Sequence, residues 1–140
     1  MSTISIFRRV YYDDTDSGGV VYHTNYLRYM EHARTDLLRL RGFGPEVLVN
    51  GYGVLFAVTD ISLKYIAAAR LGDEIEITAT IREMGGTKIE FEQEVWRVDE
   101  NRIRTKKLTL GSIIVVCLTA ADFRPAKIPA DIKERFARER

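Results

Sequence analysis

The sequence predicts an α+β domain on three observations: one stretch of helical periodicity, a run of segments with strand-like alternation, and turn residues between them. From Tyr26 to Leu40 the apolar residues Tyr26, Met30, Ala33, Leu37 and Leu40 recur at steps of four and three, while Arg28, Glu31, Arg34, Asp36 and Arg39 fall on other faces. Further on, Ile75, Ile77, Ala79 and Ile81 alternate with Glu76, Thr78, Thr80 and Arg82, which turns one face of a strand toward a core. A single amphipathic helix followed by several antiparallel strands hides its apolar stripe by packing on one face of a curved sheet.

Taken in order, residues 4–12 are rich in Ile, Phe, Val and Tyr and read as a first strand that stops at Asp13-Asp14, after which a polar loop runs to about His23. Thr24 or Asn25 caps the helix, Gly42 ends it and Pro45 lies just beyond. Strands follow over 54–66 and 75–82. Met84-Gly85-Gly86-Thr87 is a hairpin connection into a strand over 88–98, and Asp99-Glu100-Asn101-Arg102 is another into a last strand over 104–119. Pro125 and Pro129 end the sheet, and residues 131–138 form a short charged helix. No repeat or linker interrupts the 140 residues, so one domain over 1–140 is expected. Long strands such as 88–98 would leave open edges that a second copy can close, which predicts a homo-oligomer.

Composition narrows the function classes. With 21 basic and 20 acidic residues the net charge is +1, so no global field draws the chain to nucleic acid, and any anion must be bound locally. The opening residues lack a signal peptide's basic start and apolar core, and no stretch approaches the apolar length of a membrane span; the expected location is cytoplasmic. Cys117 is the single cysteine and sits inside Ile113–Leu118, where it reads as a buried strand residue. His32 lies on the helix without a partner at metal-ligand spacing. Neither a metal nor a cofactor is expected, and the nucleophile elbow and phosphate-loop motifs are missing.

Chemistry concentrates between Tyr11 and Tyr26, which packs Asp13, Asp14, Asp16, Gly18, Gly19 and His23 between a strand and a helix. The two glycines let main-chain N–H groups approach a ligand, and the helix start beyond them offers unpaired donors at a positive dipole end, an arrangement suited to an oxyanion. A carboxylate such as Asp16 can either activate water or attack a carbonyl directly. The plainer reading is that Asp14, Asp16 and Ser17 cap turns and that His23 is a partly buried loop histidine.

Over Arg9-Val10-Tyr11-Tyr12-Asp13-Asp14-Thr15-Asp16-Ser17-Gly18-Gly19-Val20-Val21-Tyr22-His23, and then at Asn25-Tyr26, Glu31, Ala33-Arg34 and Leu37-Leu38, the sequence closely resembles the hotdog-fold acyl-CoA thioesterases of the 4-hydroxybenzoyl-CoA thioesterase family, especially the YbgC-type enzymes. Looser similarity continues through Tyr65, Ala69-Arg70-Leu71, Asp73, Gly86-Thr87, Val115-Val116-Cys117 and Pro125 to Pro129. The resemblance implies a long central helix wrapped by a curved antiparallel sheet of about five strands, in subunits that pair through a continuous sheet and associate further into tetramers. It implies Asp16 as the catalytic carboxylate and the His23 main-chain N–H as the donor that polarises the thioester carbonyl. Tyr12 and Gly19 would line the substrate site, and part of the CoA surface would come from a neighbouring subunit. Where some members carry CoA-binding arginines on a hairpin, this chain has Met84-Gly85-Gly86-Thr87-Lys88, leaving Lys88 as the cation.

The leading expectation is therefore hydrolysis of a short-chain or aryl acyl-CoA, with Asp16 as general base or nucleophile. The competing readings are a non-catalytic module that binds acyl-CoA or an acyl carrier protein, and a hydratase or dehydratase, which would need an acid and base placed at the β-carbon. Release of free thiol separates them.

Overall fold

The computed structural model describes residues 2–139. Its elements are β1 (Thr3–Arg9), a 3-10 turn (Tyr12–Asp14), α1 (Asn25–Leu40), the short helical segment α2 (Pro45–Val47) continued by a π-helical stretch (Leu48–Tyr52), β2 (Val54–Tyr65), β3 (Glu74–Met84), β4 (Lys88–Val98), β5 (Arg104–Thr119) and α3 (Ala130–Ala137). The five strands form one antiparallel sheet in the order β1-β3-β4-β5-β2. β4 is thus interior, and the open edges that the sequence suggested for 88–98 belong to β1 and β2. Strand lengths mislead here because edge position depends on which distant segments pair.

α1 lies across one face of the sheet, chiefly on β3, with contacts to β1 and β4. Tyr26, Met30, Ala33 and Leu37 form the buried stripe, as their spacing requires, and meet Ile75, Ile77, Ala79, Ile89, Phe91 and Val95 from the strands. Arg34 also turns inward, against the pattern read from the sequence. Its Nη1 donates to Gln93 Oε1 at 2.9 Å, and Gln93 Nε2 donates to the carbonyls of Met30 and Thr78 at 2.9 and 3.1 Å. Gln93 therefore stitches the helix to two strands from inside the core, and burial pulls the Arg34 guanidinium below its ordinary pKa. Beside it, Gly111 on β5 is required by packing, since a Cβ there would stand 2.6 Å from a Leu63 methyl.

A bulge at Thr59 keeps both halves of β2 in phase with β5: Val58 pairs with Val115 and Ile61 with Ile113, both partners buried on the helix-side face. Facing pairs share a side of the sheet, so Val58, Ile61 and Tyr65 point to the helix side, yet they are 43%, 49% and 47% exposed. α1 meets this strip at its Tyr65 end, where the Tyr26 ring packs at 5.6 Å, and leaves Val58 and Ile61 open. At the far end α3 closes the core with Ile132 and Phe136, where a charged terminal helix was expected.

Replacing Gln93 with Leu should destabilise the protein by about 1–3 kcal/mol, because Arg34 is left buried without its acceptor. A shift of the urea midpoint at constant slope is the expected result, and an unchanged midpoint would show that the network is dispensable.

Candidate functional site

Val10 N–H still donates across to Asp73 O at 2.8 Å, but the Tyr11 N–H then turns to the Asp14 carboxylate and the backbone tightens into the Tyr12–Asp14 turn. The expected strand over 4–12 accordingly ends at Arg9. Thr15 pairs with Val21 and Val20 with Arg70 as isolated bridges, so the loop becomes a small ribbon tied to residues 69–71. Val21 N–H reaches Ala69 O at 2.8 Å and Leu71 N–H reaches Gly19 O at 2.9 Å.

At the tip of this ribbon Asp16 Oδ1 accepts the Gly18 N–H at 2.8 Å, and Asp16 O accepts the Gly19 N–H at 3.1 Å. Gly19 sits at φ +77°, where a side chain is disfavoured. The capping role weighed for Asp16 is real, and it orients a carboxylate that remains exposed to solvent.

Asp14 differs in every respect. It is 6% exposed, its carboxylate pairs with Arg28 through Oδ1 and accepts the Tyr11 N–H at 2.9 Å through Oδ2, and its carbonyl accepts both Asn25 Nδ2 at 2.8 Å and the Tyr22 N–H at 3.1 Å. Burial, reinforced by the nearby Asp14 charge, pushes the Tyr29 hydroxyl well above its ordinary pKa.

The start of α1 faces this loop. Thr24 occupies the cap position without a side-chain cap bond, and Asn25 spends its amide on Asp14 rather than on the helix. Among the described residues, the His23 main-chain N–H has no hydrogen-bond acceptor. An unpaired N–H at the positive end of a helix is a donor waiting for an anionic oxygen. The His23 carbonyl accepts the Tyr65 hydroxyl at 3.1 Å, and the exposed imidazole stacks on Tyr22 and meets Tyr65 edge-on. A shallow cavity of about 270 Å³ opens beside it between Val21, Tyr26, Tyr65 and Ala67.

The structure thus gathers Asp16, Gly19, His23 and Tyr12, the last 82% exposed on the 3-10 turn, around one loop. It does not bring Lys88 to them within the chain. Lys88 begins β4 opposite Val116, whereas Val98, paired with Glu74, ends it on the loop side, a separation of roughly 33 Å at 3.3 Å per residue. Two residues that the resemblance touched without giving them a role stand beside the loop. Tyr65 looked like a strand aromatic, and Arg70 is, among the described arginines, the one whose guanidinium has no hydrogen bond or ion pair. Cys117 is fully buried, and burial raises its thiol. His32 makes only a 3.9 Å approach to Glu31 at the surface. No group of three metal-ligating side chains occurs among the described residues.

A helix start beside a carboxylate-bearing loop, on a sheet that wraps the helix, is the arrangement of a hotdog-type thioester hydrolase. The chain belongs to the thioesterase superfamily, whose family model matches residues 18–103. It is similar to the acyl-CoA thioester hydrolase YbgC of Escherichia coli, at 38% identity over 128 residues covering 91% of each chain. The acyl-CoA thioesterase YbgC of Haemophilus influenzae is 35% identical over 128 residues, covering 91% of this chain and 90% of that one. The 4-hydroxybenzoyl CoA thioesterase of Pseudomonas sp. strain CBS-3 shares the fold, with a TM-score of 0.86 at 20% identity over 96% of this chain and 99% of that one. The expected hotdog architecture is the one observed.

Gly19→Ala introduces no clash, since nothing lies within 4 Å of the added carbon, so its cost is backbone strain alone. A loss of about 1–2 kcal/mol in chemical denaturation is expected, and a neutral result would show that the turn relaxes freely.

Proposed function

We propose that this protein hydrolyses a short-chain or aryl acyl-CoA to the free acid and CoA thiol, with Asp16 as general base or nucleophile and the His23 N–H as oxyanion donor. The observation that carries this reading is the pairing of an exposed, oriented carboxylate with an unpaired N–H at the start of α1. Acting as base, Asp16 takes a proton from water as its oxygen adds to the thioester carbon; acting as nucleophile, it forms an anhydride that water then opens. Either way, negative charge grows on the carbonyl oxygen, the C–S bond breaks, and the departing thiolate is protonated. An N–H already fixed and unpaired stabilises that charge without reorganising. The relatives named as acyl-CoA thioester hydrolases support the substrate class.

Further supports concern binding and assembly. Arg70, joined to the loop through Val20, supplies a free cation for a CoA phosphate, with Gly19 and Tyr12 on the same loop as substrate contacts. The exposed strip Val58, Ile61 and Tyr65 on the open β2 edge favours a dimer with a continuous sheet, on which tetramers are built. A two-fold axis at β2 pairs the Val54 end with the partner's Tyr65 end and so turns the partner's hairpin, Lys88 included, toward the His23 side. No helix among the described residues is long and apolar enough to cross a membrane, which accords with work on the cytoplasmic CoA pool. An acyl carrier protein presents the same pantetheine thioester and is the second donor to assay.

Asp16→Asn keeps shape but removes the charge, so kcat in a thiol-release assay should fall by about 100-fold or more, roughly 3 kcal/mol. His23→Ala leaves the main-chain N–H in place and should cost about tenfold or less. Near-normal turnover by Asp16→Asn would end the assignment, and equal damage from His23→Ala would give the imidazole a direct part.

For assembly, light scattering should give at least twice the 16.0 kDa chain mass, and Ile61→Lys should shift the protein toward the monomer. A wild-type monomer at micromolar concentration would refute the edge reading.

A further inference from the structure

A reactive carboxylate must be held to a fraction of an ångström from its target, yet Asp16 stands at the tip of an exposed ribbon whose own contacts run to residues 69–71 rather than to the helix. His23 belongs to the helix side. Some contact must therefore set the distance between the two, and beside the longer route through Ala69, which joins the Val21 N–H to the Tyr26 hydroxyl, the direct polar contacts among the described residues converge on one position. Every hydrogen bond or ion pair joining residues 11–20 to α1 ends on Asp14: Arg28 on its carboxylate and the Asn25 side-chain amide on its carbonyl. The Tyr22 N–H, immediately before His23, ends on that same carbonyl.

We propose that Asp14 is a positioning residue, whose buried carboxylate and carbonyl clamp the Asp16 turn to the first turn of α1 and thereby fix Asp16 against the His23 N–H. The inference rests on the hydrolase reading above. Asp14 is not itself the reacting group: its two carboxylate oxygens are taken by Arg28 and the Tyr11 N–H, the Tyr29 hydroxyl is packed nearby, and 6% exposure leaves no room for an attacking water. A salt bridge with one exposed partner adds little to stability, and Arg28 is 48% exposed in its side chain. What the clamp supplies is geometry, since it runs from two residues before the carboxylate to two and five residues past the oxyanion donor.

The same clamp predicts how the two aspartates interact in a double-mutant cycle. Asp14→Asn is nearly isosteric but removes the charge that holds Arg28, so kcat for thiol release should fall about 10- to 100-fold with KM within about twofold. Placed on Asp16→Asn, the same change should cost less than about twofold, because no carboxylate remains to be positioned. Arg28→Gln, at a surface that tolerates it, should lower kcat in the same direction by less, and Arg28→Lys should restore most of the loss. Circular dichroism and a melting curve keep unfolding apart from misplacement. Full multiplicative losses in the double mutant would reduce Asp14 to a stability role and overturn the inference. So would normal kcat in both Asp14→Asn and Arg28→Gln while Asp16→Asn is inactive. Normal turnover by Asp16→Asn marks the separate failure of the catalytic assignment, and with it nothing is left for Asp14 to position.

Discussion

An α-helix is about 10 Å wide and a five-stranded sheet roughly 20 Å across, so one helix cannot cover such a sheet. α1 resolves the mismatch by lying toward the β1 and β3 side, where Met30, Ala33 and Leu37 are wholly buried. The far side is covered in part by residues 43–56 and by α3. On the helix-side face of β2, Val58, Ile61 and Tyr65 stay about half exposed, while Leu63 between them packs on the core. That imbalance gives the molecule both a rigid core and an unfinished edge, and Gln93 prevents the helix from sliding to even it out, since its amide bonds the helix and two strands at once.

Fixing the helix fixes its amino end, beside which the candidate site lies. A helix start can hold an anionic oxygen only through N–H groups that stay unpaired. The Asn25 and Leu27 N–H groups turn back to the Tyr22 and Thr24 carbonyls, and the His23 N–H just before them is left without an acceptor among the described residues. Thr24 makes no cap bond, and the Asn25 side chain turns to Asp14. Asp14 and Asp16 then divide between them what one carboxylate cannot do. A buried, fully bonded carboxylate holds position but cannot react, and an exposed one can react but holds nothing.

The helix, the five strands and both hairpins were legible because each rests on local periodicity or turn chemistry. The errors came from effects that periodicity does not carry, two of them local and one between distant residues. Tyr11 looked like strand until its N–H met the Asp14 carboxylate, which bends the chain into a 3-10 turn. Pro45 read as a terminator, yet it opens a helical segment, since a proline suits a first helical position. Arg34 looked like a surface residue because its acceptor, Gln93, lies 59 positions away. Of the candidate site, the loop residues were visible as a cluster, whereas Tyr65 and Arg70 were not. Their parts depend on a strand and a bridge that meet the loop only in three dimensions.

Tyr65 shows how the unfinished edge and the site become one problem. Its ring lies on the half-exposed strip of β2, and its hydroxyl holds the carbonyl of His23. A second copy seated on that strip would press on the same side chain that holds the His23 carbonyl, and would desolvate the hydrogen bond between them. Interactions of this kind strengthen as water is excluded. The geometry of the donor would then be most sharply defined in the assembled protein, and the strand that closes the sheet would also be the one that completes the site.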